Sequence, residues 1–139
     1  MDVKRTSIAL VIGAAVLSAT GYLIFSVLFA DFYAANAGSA TGVPREGPIG
    51  WAIALGGLGY AALVIFAMGN RPGAVSIGRG AVIGAIVGSL IWFTADFTLY
   101  AATNMNNLTV TLVDPVLELV HGGIGGAVIA AVLRKSGPA

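Results

Sequence analysis

Hydrophobic positions fall into four long runs, separated by short stretches rich in Gly, Pro, Asn and charge. No run alternates in the period-two manner of a half-buried strand, and each is long enough to cross roughly 30 Å of hydrocarbon at 1.5 Å per residue. The pattern predicts helices over about 7–30, 49–68 and 80–102, and a fourth ending at Leu133. The start of the fourth is open. Apolar character resumes at Leu108, yet Asp114-Pro115 reads as an N-cap followed by proline at the first helical position. We take the span as about 110–133. The expected fold is all-α, a single four-transmembrane-helix bundle over residues 1–139.

Charge gives the bundle an orientation. Lys4 and Arg5 precede the first span, Arg71 and Arg79 lie between the second and third, and Arg134 and Lys135 follow the fourth. Only Arg45 falls on the other side. This is the positive-inside pattern, so both termini are expected on the cytoplasmic face of a cell inner (plasma) membrane. The charged start resembles a signal-peptide n-region and Ala35-Asn36-Ala37 a cleavage site. The apolar run is too long for an h-region, so the first span is read as a membrane helix.

Composition agrees. Hydrophobic residues make up 58% of the 139 and charged residues 9%, against about a quarter in soluble domains. The net charge of +1 offers no basic field for nucleic acid, and the absence of cysteine removes disulfides, thiolate nucleophiles and Cys-based metal sites. The expected partners are membrane lipids, and a second copy or a larger membrane complex.

Twenty glycines include Gly80, Gly84 and Gly88 in the third span, Gly122 and Gly126 in the fourth, and Gly56, Gly57 and Gly59 in the second. Such small-residue rows let membrane helices approach closely. Trp51 fits an interfacial anchor. Asn107-Leu108-Thr109 matches a glycosylation sequon, a triplet too common to carry an argument.

Ionisable side chains inside apolar spans mark functional positions by default. Asp96 lies in the third span. Asp114, Glu118 and His121 follow one another on one face of the fourth at intervals of three or four. Trp92 and Tyr100 share a face with Gly88 and Asp96. These six are the candidate ligand-binding residues, and no catalytic residue is identified. A metal site would draw on Glu118, His121 and Asp96. Dimetal helical bundles, however, need Glu-x-x-His twice, and here it occurs once. A proton or cation path finds few polar residues in the inner half, so an outer-facing pocket fits better than a pore. The structural reading stands beside these: Asp114 as cap, Glu118 favoured by the helix dipole, and His121 bonding Asp96 across a helix interface.

The stretch Thr94-Ala95-Asp96-Phe97-Thr98, with Asn104 and Thr109-Val110-Thr111-Leu112-Val113-Asp114, resembles small bacterial four-span membrane proteins classified as domains of unknown function. Asp31-Phe32-Tyr33 is similar to their pattern as well. The resemblance implies the architecture, with Asp96 and Asp114 as family-pattern acids, and implies no activity or cofactor.

The expected function is a binding or transport-like module whose outer-facing pocket takes a lipid, small amphiphile or cation. The alternatives are an accessory subunit of a larger membrane complex and, third, a membrane-embedded enzyme acting on lipid. The last lacks a recognisable nucleophile–base set.

Overall fold

The computed structural model describes residues 3–69 and 72–134; the basic residues Arg71 and Lys135, the turn residue Asn70 and the acid Asp2 lie outside them. Helix α1 (Val3–Gly21) runs into a π-helical segment (Tyr22–Leu28) and then a short α2 (Ala30–Ala35). After a loop come α3 (Gly50–Ala67), a 3₁₀ turn (Pro72–Ala74), α4 (Ile77–Ala102) and α5 (Leu108–Leu133). Among the described residues there is no strand, and four helices are long and apolar enough to cross a membrane.

The ends of these elements have local causes. Met68 closes α3, and Gly69 follows at φ +79, the left-handed position where glycine carries no Cβ penalty. The Ser76 hydroxyl accepts from Arg79 N at the start of α4, so this helix begins before the predicted Gly80 and takes Arg79 into its first turn. The largest correction concerns α5. Its N-cap is Asn107, whose Oδ1 accepts from Val110 N at 3.0 Å, while Asn107 Nδ2 donates to Asn36 Oδ1 at 3.3 Å. Asp114 is therefore not a cap, and Pro115 lies inside the helix. Pro115 has no N–H for the Thr111 carbonyl, a loss that membrane helices tolerate when neighbouring groups compensate. We expect Asn107→Ala to lose about 1 kcal/mol of stability. Thermal unfolding in detergent checks this, with Asn107→Asp retaining most of the cap.

Helices α4 and α5 form the tightest pair. A Cβ added at Gly84 would meet Gly126 Cα at 2.8 Å and Gly126 N at 2.9 Å, and one at Gly80 would meet Gly126 O at 2.7 Å. The backbones touch because these positions lack side chains. Helix α1 packs against both α5 and α3, whereas α3 touches α4 and α5 only sparsely. In α3, Gly57 faces Ser18 and Ala14 of α1, but Gly56 and Gly59 face open space rather than a neighbouring helix.

Arg5 Nη1 donates to the Arg134 carbonyl at 2.6 Å, which places the start of α1 and the end of α5 at one end of the bundle. At the other end two loops are stitched together: Gly38 N donates to Met105 O at 2.9 Å and Ala40 N to Asn104 O at 3.0 Å. Gly38 permits this, since a Cβ there would lie 2.7 Å from Asn104 C and 2.8 Å from Met105 C.

The interior of the bundle is apolar at one end and polar at the other, while large apolar side chains cover the outside. Leu17, Val64 and Ile129 form an apolar core toward the Arg5–Arg134 end. The other half of the interior holds Asp96, Thr111, Asp114, Glu118 and His121, all buried. By contrast Phe66 is 84% exposed and Trp51 70%.

Candidate functional site

The buried stripe on α5 follows from its spacing. Thr111, Asp114, Glu118 and His121 recur at three or four residues and so share the face turned to α1 and α4. Taking α5 from Leu108, Glu118 lies roughly 15 Å along the helix and His121 roughly 20 Å at 1.5 Å per residue, near the middle of the bundle. The stripe divides into two clusters.

The first contains Glu118 and His121. His121 Nδ1 lies 3.0 Å from both carboxyl oxygens of Glu118, and His121 Nε2 lies 2.8 Å from the Leu17 carbonyl of α1. A carbonyl only accepts, so Nε2 carries a hydrogen and donates to Leu17 O. A second proton then lies between Nδ1 and the carboxyl. Whichever partner holds it, the pair as a whole is neutral. The Tyr60 hydroxyl of α3 donates to Glu118 Oε2 at 2.9 Å. Phe25 and Tyr60 present edge-on contacts to the imidazole, each with ring centroids 5.6 Å away. Close approach on the α1 side depends on Gly21, where a Cβ would meet His121 Nε2 at 3.2 Å.

The second cluster lies toward the stitched-loop end. The Asp96 and Asp114 carboxyls lie near each other between α4 and α5, close enough for their charges to interact. The Tyr33 hydroxyl of α2 donates a hydrogen bond to Asp114 Oδ1. Asp96 Oδ2 is sealed from solvent and has no hydrogen-bond partner among the described residues. Burial, and then the bond to Asp114, push the Tyr33 hydroxyl above the ordinary tyrosine range, so it stays protonated and remains a donor across working pH. Phe25 touches the Tyr33 ring as well (centroids 5.9 Å apart) and so lies between the two clusters. The π-helical segment underlies this placement. Its wider ladder, seen in the Phe29 N to Ile24 O bond of 2.9 Å, redirects the chain that follows and brings α2 over the end of α5.

The structure thus separates residues that the sequence groups together. His121 bonds Glu118 and Leu17 rather than Asp96, and Asp96 lies near Asp114 instead. Among the described residues no group of three or more His, Asp or Glu side chains is arranged to hold a metal ion.

Where α3 diverges from α4, an apolar groove of about 520 Å³ opens on the side of the bundle. Tyr22 and Phe25 of the π segment, Gly56, Gly59 and Tyr60 of α3, and Ile91 and Trp92 of α4 line it, with Glu118 and His121 at its polar base. Its volume is in the range of small-molecule sites. Of the six sequence candidates, Trp92, Glu118 and His121 line the groove. Asp96 and Asp114 lie in the sealed cluster, and Tyr100 is 43% exposed on α4 and does not line the groove. Ser18 adds a hydroxyl to the groove wall. Both His121 nitrogens are engaged, so the ring offers no free lone pair to take a proton from that hydroxyl.

Sequence reasoning missed Tyr60, Tyr33, Phe25 and the Leu17 carbonyl. Tyr60 had a signal: a phenol deep in an apolar span requires a partner. The Leu17 carbonyl had none, because every residue carries one.

No protein-family model, curated protein or solved structure matches this chain.

Proposed function

We propose that this chain is a multi-pass membrane protein that binds an amphiphile through the lateral groove between α3 and α4. The acyl or other apolar part lies along Ile53, Leu63, Ile91 and Trp92, and a hydrogen-bonding headgroup reaches Ser18, Tyr60 and the Glu118–His121 pair. The observation that carries this reading is an almost wholly apolar side opening with the Ser18 and Tyr60 hydroxyls on its wall and the buried, charge-balanced Glu118–His121 pair behind them. Lateral access suits a ligand dissolved in the bilayer, and the opening lies on the flank of the bundle rather than at its outer end.

Insertion in a membrane is supported by the inverted burial: Glu118 is 1% and Asp96 2% exposed, while large apolar side chains cover the outside. A soluble monomer does not expose so much contiguous apolar surface. The orientation with both termini cytoplasmic, in an inner membrane, rests on Lys4, Arg5, Arg79 and Arg134 at one end against Arg45 at the other. The Asp96 and Asp114 motifs that resemble small bacterial four-span proteins fit the same reading.

The test is native mass spectrometry after gentle extraction. Wild-type protein should retain an amphiphile of defined mass. Gly59→Trp, whose Cβ meets no neighbouring atom and whose ring extends into the groove, should lose at least nine-tenths of that adduct while keeping its helical circular dichroism. Equal retention by both proteins would refute the groove. Retention only in a large heteromeric assembly would favour the accessory-subunit reading.

A further inference from the structure

The second cluster has no part in the groove, and its chemistry differs. Asp96 is 2% exposed and Asp114 7%, so both carboxyls are removed from bulk water. Two neighbouring buried carboxylates repel, so in the absence of a cation the pair keeps one proton. One negative charge then remains. The Tyr33 hydroxyl contributes a dipole to Asp114 Oδ1 but no charge. The Glu118–His121 pair, one turn further along α5, is neutral as a unit and leaves that charge unopposed. Among the described residues no Lys or Arg bonds either aspartate, and Arg45, the one basic residue at this end, belongs to an exposed loop. An uncompensated ion in a low-dielectric interior costs several kcal/mol even after relaxation, so a charge here needs a partner.

One atom shows where that partner would sit. Asp96 Oδ2 is buried and, among the described residues, has no hydrogen-bond partner. Folded proteins leave very few buried polar atoms in this condition, and a bound ion is one of the ways in which such an atom is satisfied.

We propose that Asp96 and Asp114 bind a dehydrated monovalent alkali cation, sodium or one of similar size, between α4 and α5 beneath Tyr33. Asp96 Oδ2 is its principal ligand, and the remaining carboxyl oxygens and the Tyr33 oxygen complete an all-oxygen shell. The charge count selects the valence: a pair holding one proton is neutralised by a single positive charge and over-neutralised by two. The sealing selects against magnesium, which dehydrates reluctantly and keeps several waters. The site ties α2, α4 and α5 together at the stitched-loop end, so its occupancy stabilises that end of the bundle. This inference is independent of the amphiphile reading, because none of its ligands lines the groove.

The experiment is titration of NaCl, KCl and LiCl into the full-length protein in a zwitterionic detergent, with choline chloride holding ionic strength constant. Heat of binding and the thermal midpoint are both followed. A saturable one-site heat and a rise in midpoint with at least one alkali cation are expected, with a tenfold or greater loss of apparent affinity in Asp96→Asn and Asp114→Asn. Glu118→Gln should keep the response, which separates this site from the groove. Wild-type protein that gives no heat, and has the same midpoint in alkali and choline salts, overturns the proposal. A midpoint that rises on acidification alone would show that the pair holds a second proton in place of a cation. The wild-type titration decides even if the aspartate variants fold poorly.

Discussion

Replacing Glu118 by alanine is expected to destabilise the folded protein by about 3–5 kcal/mol, the range for breaking a buried charged pair by removing one partner. The carboxyl accepts from Tyr60 and shares a proton with His121, so its loss strands a half-buried hydroxyl and a buried imidazole at once. Glu118→Gln keeps the shape and an acceptor for Tyr60, and should lose only about 1–2 kcal/mol. The double variant Glu118→Leu/His121→Leu should be less destabilised than the sum of the two single changes, because no charge is left unpaired. Unfolding of the four proteins in mixed detergent measures this coupling. Strict additivity would mean that the pair is not energetically linked.

The second large effect falls on the α4–α5 contact. Gly84→Ala places a methyl against the Gly126 backbone at 2.8–2.9 Å, where no flexible side chain can move aside. Overpacking of this kind costs about 1–3 kcal/mol. Gly84→Leu should separate the helix pair and leave little folded protein. Gly123→Ala is the matched control: its methyl would meet Ala81 O at 3.6 Å and Ala85 Cβ at 3.7 Å, ordinary contact. Alanine's better helix propensity then makes that change neutral or stabilising by up to roughly 1 kcal/mol. The same unfolding assay, run on Gly84→Ala and Gly123→Ala side by side, checks the difference. Similar losses in both would show that glycine content, and not the backbone contact, is what matters.

These two cases also show what could be read from the chain alone. The four helices were legible because long apolar runs have few other interpretations, and α3 begins and ends within a residue of its predicted bounds. The close α4–α5 approach was legible in the four-residue glycine rows. Helix α3 was legible only in part, because composition cannot tell a glycine that receives a neighbour, such as Gly57, from one that opens a groove, such as Gly56.

The site was less legible, for a physical reason in each instance. Asp114-Pro115 carries the local signature of a helix start. The chain begins the helix earlier because Asn107 caps it and is itself held by Asn36 from a distant loop. That tertiary contact has no local sequence signal. The π segment is equally silent, since Tyr22-Leu23-Ile24-Phe25-Ser26-Val27-Leu28 reads as ordinary apolar helix. Without it, nothing in the sequence aims Tyr33 at Asp114 or Phe25 at His121. The acids and the histidine stood out as ionisable groups within apolar spans, but their pairing depended on which faces α1 and α4 present to α5.

The most direct test of lateral amphiphile binding is photolabelling with a diazirine-bearing phospholipid in reconstituted bilayers, followed by peptide mapping. The groove predicts labelling concentrated on Phe25, Ile53, Tyr60 and Trp92, and suppressed by Gly59→Trp. Labels spread around all four helices in proportion to exposure, with no change in the variant, would mean that the groove holds only annular lipid and would contradict it.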